Sequence, residues 1–374
     1  MQRKMDPDAA ARVNQEAANS NLDALVATSF ENVCYLSGTA IGTQRLIPDR
    51  LAVVVWPTHE SRRLIVCTIE EAQARAESWI AEIIGYTEFA DSPVKVLADV
   101  LTETIPRKAN VGIEKRHLTA RYYEELISLC PALTFVSADD ILSRVRMIKS
   151  PSEIAILEKA ALATDQVIRN TFEGIRVGDT EKEIAVRMEA ELRCSGAETI
   201  EFNILAIGSN AKLAHPTAGD TATAAGQVVR TDFGGRFSGY LSDVARTAVG
   251  RPASDKQRST YQKLFEVHER VIESTRPGLP ARELFYICER EFERAGLDFA
   301  MPHIGHGLGL GLHEHPMLTP FTTEELQLGM VLCIEPRYLA DEGRFHIEDL
   351  VEVTGTGARI LSRSADWTTL LEVG

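Results

Sequence analysis

Two hydrophobic periodicities alternate along the first third of the chain. Short runs rich in Val, Ile and Leu (LDALVAT, LAVVVWP, RRLIVCT and NVGIE) predict buried strands, and EEAQARAESWIAEII and PVKVLADVLTETI between them predict helices. Strands alternating with helices specify a layered α/β domain. From Ile154 onward the period lengthens: Ile154, Leu157, Ala161, Ile168 and Phe172 recur near one helical face of IAILEKAALATDQVIRNTF. Thr180 with Glu183, and Ser254 with Gln257, have capping-box spacing and predict the starts of EKEIAVRMEAELRCSG and DKQRSTYQKLFEVHERVIEST; PARELFYICEREFERAG is a fourth helix. Strand patterns fall at NILAIG, QVVRTDF, YLSDVARTAV, MVLCIEPRYL and HIEDLVEVT, with GGRFSG as a turn. In RVRMIKSPSE, Ser150 and Pro151 interrupt one pattern and Ser152 is placed to cap the next. The boundary belongs there, giving an α/β domain over 1–146 and a second domain over 147–374.

The second domain repeats itself. At an offset of 100 residues, Glu173, Arg176, Gly178, Glu183, Glu189, Glu191 and Gly196 meet Glu273, Arg276, Gly278, Glu283, Glu289, Glu291 and Gly296 without a gap. Identity of that density at one helix–turn–helix position predicts an internal duplication, each half supplying two helices and antiparallel strands. The seam between such halves is a natural place for a site.

Composition narrows the function. A chain of 374 residues suits two domains, and 44% hydrophobic with 25% charged residues suits a soluble globular protein. A net charge of −14 argues against nucleic-acid or anionic-membrane surfaces, which need clustered Lys and Arg. The first residues lack the apolar core of a secretion signal and no apolar run is long enough to span a bilayer, so a cytoplasmic protein is expected. Cys34, Cys67, Cys130, Cys194, Cys288 and Cys333 are scattered singly, which reads as buried free thiols.

Four acids sit where acids are costly. Asp232 (QVVRTDF), Asp243 (YLSDVARTAV), Glu335 (MVLCIEPRYL) and Glu348 (HIEDLVEVT) lie in or beside strands with buried character, and an unpaired buried carboxylate costs several kcal/mol, about 3 or more. Basic residues do not recur regularly enough in these segments to answer them, whereas two divalent cations would, and would activate a water. Either acidic hairpin alone reads equally well as turn and cap residues; two shift the balance toward metal. His303, His306, His313 and His315 fall within HIGHGLGLGLHEH, a glycine-rich stretch that no helix interior would tolerate and that lets imidazoles converge. Oxygen-rich ligation with one imidazole suits Mn²⁺, Co²⁺, Fe²⁺ or Zn²⁺, and the reaction class is metal-assisted hydrolysis.

These motifs resemble the pita-bread metallopeptidases, in particular the two-domain branch of prolidase, Xaa-Pro aminopeptidase and creatinase. The resemblance runs from DALVATSFENVCYLSG through MIKSPSEIAILEKA to the acidic hairpins. It implies an α+β architecture: a C-terminal pita-bread fold preceded by a smaller creatinase-like α/β domain. It implies Asp232, Asp243, His306, Glu335 and Glu348 as ligands of two divalent metal ions, with manganese the first choice and Asp243 and Glu348 bridging. It further implies His215 (SNAKLAHPTAG) and His303 as substrate contacts, His313 as substrate contact and stabiliser of the tetrahedral intermediate, and Glu335 as proton shuttle. The implied activity is hydrolysis of an amide bond in an Xaa-Pro peptide by a homodimer. A small-molecule amidohydrolase or lyase of the same fold, and a non-enzymatic binding protein, are the alternatives. Two departures stand out: Met317 replaces the arginine of the prolidase pattern HExPR, and His346 replaces the arginine two residues before Glu348, where it would sit behind the ligands.

Overall fold

The computed structural model describes residues 5–47 and 49–374, which divide into two compact units, 1–146 and 147–374. In the first unit the strands are β1 (Ala24–Ala27), β2 (Val53–Pro57), β3 (Arg63–Cys67), β4 (Glu82–Tyr86), β5 (Asn110–Ile113) and β6 (Thr134–Ser137), ordered β4-β3-β2-β1-β5-β6 in one sheet. The helices are α1 (Pro7–Asn19), α2 (Phe30–Ser37), α3 (Thr43–Leu46), α4 (Glu71–Glu77), α5 (Pro93–Thr104), α6 (Ala120–Leu129) and α7 (Asp139–Met147). Strands β1 and β2 are buried at every position, as continuous Val and Leu runs covered on both faces require. One expected helix stops short and runs into a strand. The stretch EEAQARAESWIAEII is helical only to Glu77; Ser78 turns extended and β4 then pairs parallel with β3, so sheet pairing overrides a local helical bias.

The second unit opens on α8 (Pro151–Glu173), whose apolar stripe Ile154, Leu157, Ala161, Ile168 and Phe172 is buried. Its cap is Ser150, not Ser152: Ser150 Oγ accepts from the Glu153 amide, Glu153 returns the bond to the Ser150 amide at 2.8 Å, and Pro151 fills the first helical position. Helix α9 (Glu181–Cys194) carries the Thr180–Glu183 box, α10 (Asp255–Ser274) the Ser254–Gln257 box, and α11 (Ala281–Ala295) ends at left-handed Gly296. The two helix pairs are tied in the same way 100 residues apart: the Gly178 and Gly278 amides donate to the carbonyls of Thr223 and Leu326, and those of Glu181 and Ala281 to Thr221 and Glu324.

Two sheets and a hairpin complete this unit. The first sheet joins β7 (Thr199–Ile207), β8 (Val228–Phe237), β9 (Tyr240–Leu241) and β10 (Val244–Gly250) with the last strand of the chain. The second joins β11 (Gly305–Gly307), β12 (Glu314–Met317), β13 (Val331–Ile334), β16 (Asp349–Thr354) and β17 (Gly357–Ile360); β14 (Arg337–Ala340) and β15 (Gly343–His346) form the hairpin, and β18 (Leu371–Val373) is the strand that edges the first sheet. The expected turn GGRFSG is tighter than its sequence suggests. Strand β8 continues through Phe237, and only Ser238 and Gly239, at φ 49° and 83°, turn the chain so that Phe237 faces Tyr240. Gly234 is required in that strand, because a Cβ there would lie 2.1 Å from the Ser242 carbonyl oxygen. Among the described residues no helix is long and apolar enough to cross a membrane.

Candidate active site

The acids arrive on strands that face one another. Asp232 sits on β8 opposite Ala245 of β10, two residues beyond Asp243. Glu335 and Glu348 follow and precede β13 and β16, which pair Ile334 with Asp349, so the two glutamates leave adjacent strands side by side. His306 on β11 is paired with Cys333 of β13. Ligand atoms of Asp243, His306, Cys333 and Glu348 all lie within 4.8 Å of one another. His306 Nε2 is 3.7 Å from Asp243 and 3.8 Å from Glu335, while its Nδ1 lies 3.0 Å from the Gly307 carbonyl. That contact fixes the proton on Nδ1 and leaves the Nε2 lone pair facing the acids. His346 spans the remaining pair, 3.3 Å from Glu335 and 3.9 Å from Asp232.

Electrostatics follow from burial. Asp243 Oδ1 and Glu348 Oε1 are buried and without a hydrogen-bond partner. Burial pushes both carboxyls well above the usual range, Glu348 adding to the shift at Asp243 and Glu335 to that at Glu348. Asp232 is raised for the same first reason. Glu335 goes the other way: burial alone would raise it, but His346 and Arg337 outweigh burial and bring it down to about 2. Burial lowers His306 to about 4, so its imidazole is neutral at pH 7. Neutral imidazole, converging carboxylates and orphaned oxygens are a donor set that a divalent cation fits.

The cleft over this cluster has a volume of about 350 Å³. His215, His303 and His313 line it with the acids, and Phe202, Ile204 and Leu312 form an apolar wall. His313 stacks toward His306 with ring centroids 4.2 Å apart, and His303 Nδ1 is 3.4 Å from Glu335. The fourth histidine of the glycine-rich segment does not join them: His315, on β12, turns to Glu324 at 3.1 Å. The segment itself is braced by buried Glu314, which accepts from Lys149 at 3.1 Å and from the Gly311 amide. Met317 lies across β11 from His306 and does not line the cleft.

Four site residues escaped the sequence reading. Cys333 joins the ligand cluster as a neutral thiol, pushed up by burial and then by Glu348 and Asp243. Arg230, Arg337 and Arg344 line the cleft, so basic residues too irregular in sequence to be read as answering the acids lie beside them. Each stands two residues from Asp232, Glu335 or His346, and period two was the signal that could have found them. Metallopeptidase family M24 matches over residues 155–355, the span holding the whole cluster. The chain belongs to this family. The creatinase/prolidase N-terminal domain matches residues 10–148.

M24 relatives agree along nearly the full length. An Xaa-Pro dipeptidase of Pyrococcus furiosus is 30% identical over 349 residues, covering 92% of this chain and 94% of that protein. The solved prolidase of Pyrococcus horikoshii superposes with a TM-score of 0.85 at 29% identity, covering 96% of this chain and 99% of the other. An X-Pro aminopeptidase structure from Thermotoga maritima gives a TM-score of 0.85 at 25% identity over 100% of both chains. The fold is therefore the pita-bread fold with a creatinase-like N-terminal domain.

Proposed function

We propose that this M24 chain is a metal-dependent peptidase cleaving Xaa-Pro bonds, with two divalent cations held by Asp232, Asp243, His306, Glu335 and Glu348. The observation that carries the reading is the pair of buried, partnerless oxygens, Asp243 Oδ1 and Glu348 Oε1, converging with the free Nε2 of His306. Bound there, divalent cations polarise an amide carbonyl and lower the pKa of water. The protein's own groups do the rest. Glu335, held ionised beside His346 and Arg337, takes the proton of the attacking water and passes it to the leaving nitrogen. His313 and His215, exposed side chains at the rim of the cleft, donate to the developing oxyanion and to the substrate. The wall of Phe202, Ile204 and Leu312 accepts the proline ring. His303 lies beside Glu335 at 3.4 Å, and His346 stands behind Glu335 and Asp232 at 3.3 Å and 3.9 Å, placed to bias their orientation.

Manganese is the ion this reading favours, on the strength of four carboxylates to one imidazole. A homodimer is carried over from the resemblance, and six free cysteines support a reducing cytoplasm. The test is a substrate panel with manganese-loaded enzyme: Xaa-Pro dipeptides, longer Xaa-Pro peptides and non-peptide amides. Cleavage confined to Xaa-Pro bonds is expected; turnover of the amides alone would remove the peptidase assignment.

A further inference from the structure

Arg230, Arg337 and Arg344 all line the cleft, close enough for the charges of Arg337 and Arg344 to act on Arg230, while the four carboxylates would be matched by the two divalent cations proposed above. Arg337 is partly used, its Nη1 lying 2.7 Å from Glu335 Oε2. The other two meet no carboxylate through a hydrogen bond and donate only to backbone carbonyls. Arg230 is 1% exposed; its Nη2 donates to the carbonyls of Leu213 and Ala214, and its Nε is buried without a partner. Arg344 donates one Nη2 bond to the Lys212 carbonyl at 3.2 Å, and its Nε too is buried without a partner. The charged group that acts on Arg344 is Arg337, of like sign. Fixing the chain before His215 explains the Nη2 bonds. It does not explain two buried Nε donors, nor three like charges close together at a partly exposed wall, where Asp232 offsets Arg230 and Glu335 offsets Arg337 but the charge acting on Arg344 is that of Arg337.

We propose that the Arg230–Arg337–Arg344 wall is an anion subsite that binds a carboxylate of the substrate. Substrate carboxylate binding is thereby moved to strands β8, β14 and β15, away from position 317, whose methionine lies off the cleft. The proposal rests on the peptidase reading for what the carboxylate belongs to. A free C-terminal carboxylate and an acidic side chain on the first residue share this chemistry.

Calorimetric titration of the manganese-loaded protein with proline and with prolinamide tests the subsite without turnover. Proline is expected to bind about 10-fold to 100-fold more tightly than the amide, as a charge-assisted hydrogen-bond pair allows. Arg344→Gln, whose amide nitrogen reaches only as far as the arginine Nε and so gives up both the charge and the Lys212 contact, is expected to remove most of that preference, and Arg344→Lys, which restores a cation of greater reach, to keep part of it. Equal binding of the two probes, binding of neither, or a preference undiminished in Arg344→Gln would overturn the subsite; the last result places the carboxylate on the cations instead. Kinetics separate the two sources. A lower KM for Ala-Pro than for Ala-Pro-amide assigns the subsite to the C-terminal carboxylate, whereas Arg344-dependent preference for Glu-Pro-amide over Gln-Pro-amide assigns it to a side chain. Should Ala-Pro and its amide be cleaved with one KM, and the glutamyl and glutaminyl amides with another shared one, the subsite fails while the peptidase reading stands. Should proline discrimination hold with no peptide cleaved, the peptidase reading fails and the subsite stands.

Discussion

Individual residues divide cleanly between those that make the cluster and those that act on a substrate. Asp243→Asn leaves Glu348 and His306 without the oxygen that converges on them, so metal content and turnover are expected to fall together, the first read by elemental analysis after gel filtration. His313→Ala touches no carboxylate; it is expected to keep its metal and lose turnover by about 10²-fold to 10³-fold. His346→Ala should sit between these, weakening metal affinity by about 10-fold to 100-fold in a chelator competition, because it removes the contacts behind Glu335 and Asp232. The four acids stood out because carboxylates are rare in apolar strands and His306 because imidazoles crowd a glycine-rich segment, whereas His346 was singled out only by the resemblance. The three arginines did not stand out, since a basic residue in a strand reads as solvent-facing until the opposite face is known to be a cleft. Met317 shows the reverse: a motif position can be read correctly from the sequence and still lie off the site, here on β12 beside His306 and outside the cleft lining.

Elements fix the distances between those residues. Strand β10 delivers Arg246, 1% exposed, whose guanidinium binds Asp165 of α8 and Asp349 of β16 at 2.7 Å each and donates to the Glu348 carbonyl. One side chain thus ties the helix, the strand next to Asp243 and the strand next to Glu348. Replacing it with Met strands two buried carboxylates, and a loss of about 3–5 kcal/mol in urea unfolding is expected. A drop below about 1 kcal/mol would mean that the remaining partners, Arg363 and Ser362 on Asp349 and Trp367 and Ser364 on Asp165, suffice without it. The capping boxes at Thr180 and Ser254 and the buried face of α8 were legible, because local hydrogen bonds and a 3.6-residue period leave direct marks on sequence. The end of α4 and the two-residue turn at Ser238 were not. Parallel pairing of β4 and the register of β9 on β8 are decided by partners far along the chain.

At the scale of the whole molecule, the duplication and the excess of acid combine. Equivalent hydrogen bonds 100 residues apart build two matching halves, and the carboxylates brought together between their strands include both groups held above and groups held below their usual pKa. The structural network at Asp349 gives stability a definite pH dependence. Burial alone would raise the Asp349 carboxyl, but Arg246, His268 and Arg363 overcome it and hold the group well below the usual range. A folded-state pKa beneath the unfolded value means that the unfolded chain binds the proton first. The contribution is therefore complete above the unfolded value of about 3.9 and is lost as pH falls below it. Urea unfolding in excess chelator, with the cluster's cations removed, should show stability declining from about pH 4 downward, and Asp349→Asn should flatten that slope while lowering stability at neutral pH. Restoring manganese at neutral pH to about 100 times its Kd should add about 2.7 kcal/mol, since the ligand set forms only in the folded chain. That gain should vanish in Asp243→Asn and survive in Asp349→Asn wherever the latter folds, because the first removes a donor from the cluster and the second only a support behind it. Equal loss in both would mean that the Arg246 network, rather than the ligand atoms themselves, sets the affinity.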